Sequence, residues 1–157
     1  MVPTQDRGAI DVLLEMSEQI DLVIPRGGAG LIKRVVAKSR IPVVRHDQGI
    51  CHLYVESSAR LEEAVKLTLN AKAQRPGVCN AIETLLVDAQ VAPSFLPLVG
   101  RALKEAHVTL KACPRALPLL CDGAEEAVEE DWATEFLGLT LAVRVVDDLE
   151  GAIDHID

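Results

Sequence analysis

Cys79 stands in the stretch "QRPGVCNAIETLLVD", Gln74 to Asp88, behind an Arg-Pro-Gly turn and ahead of an apolar run with the pattern of a strand. A thiolate is a strong nucleophile, and a cysteine becomes reactive where positive charge or backbone amides favour thiolate over thiol. Free cysteine is also among the most buried residue types, so a lone thiol beside apolar residues is more often packing. The neighbours of Cys79 argue for chemistry. Pro76 stiffens the approach, Gly77 lets backbone come close to a ligand, and Arg75 can draw an anion or favour the thiolate. Cys51, Cys113 and Cys121 have no such setting and read as structural.

Other residues have types and settings that suit chemistry. "PRGGAG" ahead of a helix can offer the backbone of Gly27 and Gly28 to a phosphate or a nicotinamide ring, although it is no G-x-G-x-x-G fingerprint and a tight turn explains it equally. His46 and His52 flank a turn at Asp47 to Gly49, and either can act as a base near neutral pH or simply be hydrogen-bonded. Glu135 in "DWATEF" is either a solvated carboxylate or one that accepts both hydroxyls of a ribose, a recurring use in dinucleotide sites. The four cysteines form no C-x-x-C pair and no histidine has finger-like spacing, so free thiols are expected and no metal site.

The elements that must position these residues follow from periodicity. Asp6 can cap a helix carrying Ile10, Leu13 and Leu14, and "DLVIP" reads as a short strand stopped by Pro25. Ile32, Val35 and Val36 make a helical stripe, "IPVV" and "GICHLYV" read as strands, and Ser58 can cap a helix with Leu61, Ala64, Val65 and Leu69 on one face. "ETLLVD" then predicts a strand, Leu96, Val99 and Leu103 a helix with Pro97 near its start, "VTLKA" and "LTLAVRVVD" two strands, and "LEGAIDHI" a last helix. The stretch "CPRALPLLCDGAEEAVEEDWATEF" is irregular. Alternating helices and strands argue for α/β layers on a largely parallel sheet.

At 157 residues the chain can bury roughly 70% of its unfolded surface. A net charge of −8 and 3% aromatic content oppose nucleic acid binding, which needs clustered cations and stacking rings. No apolar run nears the ~20 residues of a membrane span, and the N-terminus lacks the pattern of an export signal, so a cytoplasmic protein is expected.

In order, "DLVIPRGGAGLI", "HDQGICHLYV", "NAKAQRPGVCNAIETLLV" and "DWATEFLGLTLAVRVVDDLEGAI" resemble the gamma-glutamyl phosphate reductase (glutamate-5-semialdehyde dehydrogenase) family of the aldehyde dehydrogenase superfamily. The resemblance implies a three-layer α/β fold of the aldehyde dehydrogenase catalytic-domain type. It also implies a cytoplasmic enzyme of proline biosynthesis that uses NADPH to reduce L-glutamyl 5-phosphate to the semialdehyde, releasing phosphate. By the same resemblance Cys79 is the catalytic cysteine, Glu135 holds the nicotinamide ribose, and Gly27 and Gly28 pass the nicotinamide. Arg75, Asn80 and His46 are then candidates to meet substrate, His46 standing near the place where hydrolytic relatives carry a water-activating glutamate. Residues 1–45 would be the remnant of a dinucleotide-binding domain and 46–157 the cysteine-bearing catalytic domain. Family members are longer at both ends, which implies a catalytic-domain fragment, inactive when isolated, of a full-length enzyme that forms homo-oligomers and associates with the glutamate kinase of its pathway. Two alternatives stand beside this: a non-phosphorylating semialdehyde dehydrogenase, and a non-catalytic module that associates with itself or another subunit.

Overall fold

The computed structural model describes residues 3–45, 49–120 and 122–157. His46 and Cys121 therefore lie outside the described residues, as does most of the turn between His46 and His52. The chain divides into two compact units, Met1–Asp47 and Gln48–Asp157.

In the first unit, helix α1 spans Gly8–Leu13 and helix α2 spans Ala29–Lys38. Asp6 is not the cap residue, which is Arg7, but its carboxylate accepts the N–H of the first helical residue, Gly8, at 2.8 Å. Asp11 ties the helices together, accepting from Arg34 at 2.7 Å and Lys38 at 2.8 Å, and these cations hold its carboxyl below the usual range. Leu14, Ile32, Val35 and Ile41 are buried apolar residues of this unit. "DLVIP" and "IPVV" do not become strands; they meet at a single parallel bridge, Val23 with Val43. Each segment is extended, but Pro25 and Pro42 withhold the N–H groups that a longer ladder needs.

The second unit is a five-stranded, all-parallel sheet between helices. Its elements run β1 Cys51–Val55, α3 Leu61–Ala73, β2 Ile82–Asp88, α4 Ala92–Glu105, β3 Thr109–Ala112, β4 Glu125–Glu126, α5 Glu129–Trp132, β5 Thr140–Val146 and α6 Leu149–Ile156. The strand order is β1-β2-β5-β3-β4, so the last strand in sequence lies at the centre. Residues alternate across the pleat. Leu85, Val87, Leu141, Val143 and Val145 pack with Phe95, Leu96, Val99 and Leu103 of α4 in the main core. Leu86 and Val146 turn to the other face and meet Ala152 of α6 and Tyr54. Helices on both faces make three layers, as expected for a parallel sheet that must bury both sides.

Three local expectations are corrected. Ser58 does not cap α3: the cap residue is Arg60, and the Ser58 hydroxyl and N–H both donate to Glu56, whose carboxyl the serine hydrogen bonds lower to about 2. Pro93, not Pro97, occupies the first turn of α4, and Pro97 lies farther inside with its carbonyl accepting from Arg101 at 3.2 Å. The irregular stretch contains β4, which pairs in parallel with β3.

Candidate active site

The turn that carries Cys79 is built from both ends. Helix α3 ends at Ala73 with Gln74 as its cap, and two successive turns follow, Val78 N–H donating to the Arg75 carbonyl at 3.4 Å and Ala81 N–H to the Val78 carbonyl at 3.0 Å. Cys79 and Asn80 sit exposed in the second turn, with Arg75 exposed in the first. The Cys51 thiol, at the start of β1, donates to the Cys79 carbonyl at 3.4 Å. Cys113 is different: it is buried and its sulfur accepts the Val145 N–H at 3.4 Å.

The loop between α5 and β5 carries Glu135, half-buried. Its approach is fixed by Asp131, which accepts the Val128 N–H at 2.9 Å and pairs with Lys111 of β3 at 3.0 Å. Burial opposes ionisation of Asp131, but that N–H and the Lys111 ammonium prevail and hold its carboxyl low.

Two residues that sequence reasoning missed join this loop to the cysteine turn. Lys72, in the last turn of α3, donates to Glu83 Oε2 at 2.5 Å and to the Ile82 carbonyl at 3.0 Å. The other oxygen of Glu83 accepts the Leu137 N–H at 3.1 Å. On the far side of the same residue, a Cβ at Gly77 would lie 3.6 Å from the Leu137 carbonyl oxygen. The cysteine turn and the Glu135 loop thus meet at Leu137.

Because β2 lies between β1 and β5 and all run in parallel, the Cys79 turn, the Glu135 loop and Cys51 gather at the amino-terminal edge of the sheet. Open α/β sheets usually bind ligands beyond the carboxyl ends of their strands, so this site departs from the common plan. Gly27, with φ 152°, and Gly28, the cap residue of α2, belong to the first unit. His52 is on β1 and lines a cavity of about 880 Å³ with Trp132, Arg144 and His155 on the α6 face; that cavity includes neither Cys79 nor Glu135. Burial lowers the pKa of His52. Among the described residues no cluster of acidic, histidine or cysteine side chains could hold a metal, and no helix is long and apolar enough to cross a membrane.

A parallel three-layer α/β sheet of this kind is the aldehyde dehydrogenase type of fold. The NADP-dependent glyceraldehyde-3-phosphate dehydrogenase of Bacillus halodurans, solved with NADP, matches 97% of the chain with a TM-score of 0.70 at 18% identity, covering 40% of that structure, a likeness of fold alone. The sequence kinship is narrower: almost the whole chain matches a segment of gamma-glutamyl phosphate reductases. The enzyme of that name from Solidesulfovibrio magneticus is 53% identical over 99% of the chain, and the one from Moorella thermoacetica is 51% identical over 99%. The crystal structure of the Thermotoga maritima gamma-glutamyl phosphate reductase superposes with a TM-score of 0.90 at 40% identity, covering 99% of the chain and 37% of that structure. The chain spans 37% of the length of the curated relatives it matches. No protein-family model matches it.

Proposed function

We propose that this chain is the cysteine-bearing part of a cytoplasmic enzyme of proline biosynthesis that reduces L-glutamyl 5-phosphate to L-glutamate 5-semialdehyde with release of phosphate. The observation that carries the reading is Cys79, exposed on a double turn whose neighbouring loop presents Glu135. The names and identities of the relatives support the substrate.

Cys79 attacks the acyl carbon as thiolate, and phosphate leaves with its bonding pair, giving a thioester on Sγ. The N–H of Cys79 and the amides of the turn can face the oxygen on which charge develops, and Arg75 and Asn80 can meet the phosphate or the α-carboxylate. His46 belongs to the same substrate set by resemblance. Cys79 is the leaving group at the end, when the tetrahedral thiohemiacetal collapses to aldehyde and thiolate.

Residues fit a nicotinamide cofactor. The Glu135 carboxylate can accept ribose hydroxyls, and Gly27 and Gly28 belong to the cofactor set by resemblance alone. NADPH, when bound, supplies the hydride that the thioester carbon accepts.

The test is a chimera in which this segment replaces its counterpart in the Solidesulfovibrio magneticus relative. Oxidation of the semialdehyde by NADP should require inorganic phosphate, and Cys79→Ser should lower turnover about a thousandfold or more. Oxidation indifferent to phosphate would favour the non-phosphorylating alternative, and an active serine variant would remove Cys79 from the chemistry.

A further inference from the structure

We propose that Lys72 and Glu83 are a positioning pair that clasps the Cys79 turn and, through the Leu137 peptide, sets how that turn and the Glu135 loop stand to each other. The inference rests on the reading of Cys79 and Glu135 as site residues.

Lys72, on α3, is 0% exposed and Glu83, on β2, 1%. A buried ion pair is a weak stabiliser, because removing two charges from water offsets most of their attraction, and apolar residues of similar volume often serve as well. What an apolar pair cannot do is fix backbone. Lys72 precedes the turn and Glu83 follows it, so their 2.5 Å contact closes the loop that holds Arg75, Cys79 and Asn80. The lysine also holds the Ile82 carbonyl at the start of β2. The spare oxygen of Glu83 then holds the N–H of Leu137, whose φ of 52° is a left-handed conformation that a leucine seldom adopts. Gly77 stands beside the carbonyl of the same residue, where a Cβ would make an ordinary van der Waals contact at 3.6 Å. One carboxylate thereby serves both loops, one oxygen for each.

Two double variants of the 157-residue chain separate the roles. Lys72→Met/Glu83→Gln keeps an acceptor for Leu137 without buried charge, while Lys72→Met/Glu83→Leu removes the acceptor as well. Amide exchange at Leu137 and Ala81, with Leu86 and Val99 as core references, and the alkylation rate of Cys79 are the readouts. Against the unmodified chain both variants should exchange about tenfold faster at Ala81, and the leucine variant about tenfold faster at Leu137 as well, with the core amides unchanged. In both, Cys79 should alkylate about threefold more slowly, because a slack turn no longer holds the backbone N–H groups between Val78 and Ala81 in one arrangement. Acceleration at Leu137 alone, or an equal acceleration of the core, overturns the proposal. If the leucine variant does not fold, the glutamine variant against the unmodified chain decides, since loss of the clasp must speed exchange at Ala81 while Leu137 stays protected. Should Cys79 in the unmodified chain react no faster than the other thiols, the reading of the site fails, and the exchange data still judge the clasp.

Discussion

At the scale of single residues, His155 shows how environment rewrites a side chain. Its Nδ1 lies 3.1 Å from the Arg144 guanidinium, which can only donate, so the neutral ring carries its proton on Nε2. Burial first, then the Arg144 charge and then His52 push the His155 pKa from 6.5 down to about 4. The folded value is below the unfolded one, so this group's contribution is complete above about pH 6.5 and is lost as pH falls towards 4, where the unfolded chain takes a proton that the folded chain refuses. The melting temperature should therefore fall across that window, and His155→Gln should flatten the fall; an unchanged slope would exclude this histidine as its cause. Glu135 makes a different prediction. In the chimera, Glu135→Gln should raise KM for NADP about tenfold, the loss of one charge-assisted hydrogen bond or more, while leaving acylation of Cys79 intact. Equal loss of both would make Glu135 structural. The sequence singled out Cys79 and Glu135 as candidates because each stands beside turn-forming or aromatic residues that set it apart. Lys72 and Glu83 were hidden, since a lysine late in an amphipathic helix and a glutamate opening an apolar strand each read alone as the solvated end of an element.

Elements carry their own tests. Helix α4 ends in a left-handed turn in which His107 N–H reaches the Lys104 carbonyl at 2.9 Å and Val108 N–H reaches the Leu103 carbonyl at 2.9 Å, with His107 at φ 60° where glycine is usual. His107→Gly should raise stability by about 0.5–1 kcal/mol, as the relief of left-handed strain exceeds the added freedom of the unfolded chain, and chemical denaturation would read it. A loss instead would mean that the imidazole makes a contact worth more than the strain. Strands β1, β2, β3 and β5 and helices α2, α3, α4 and α6 were legible from apolar periodicity. Strand β4 was not, because Glu125 and Glu126 are exposed at the sheet edge and show no alternation. "DLVIP" failed for the opposite reason: it has the apolar run of a strand but only one bridge to hold it. Sheet order was equally beyond the sequence, since β5 enters the centre through contacts far apart in the chain.

At the scale of the molecule, the chain matches its relatives along nearly all its own length but covers 37% of theirs. The activity proposed is that of the longer protein. The 157 residues alone should show no steady-state reduction of the acyl phosphate with NADPH, while their thiol chemistry persists; normal turnover by this chain would overturn that division. The central claim is that the fold presents Cys79 as a nucleophile, and competitive alkylation of the native chain near neutral pH, mapped by peptide, tests it most directly. The account predicts that Cys79 is modified ahead of Cys51, which is half-buried against its carbonyl, ahead of buried Cys113 and ahead of Cys121. Modification of any other cysteine first, with Cys79 protected in the folded chain, would contradict it.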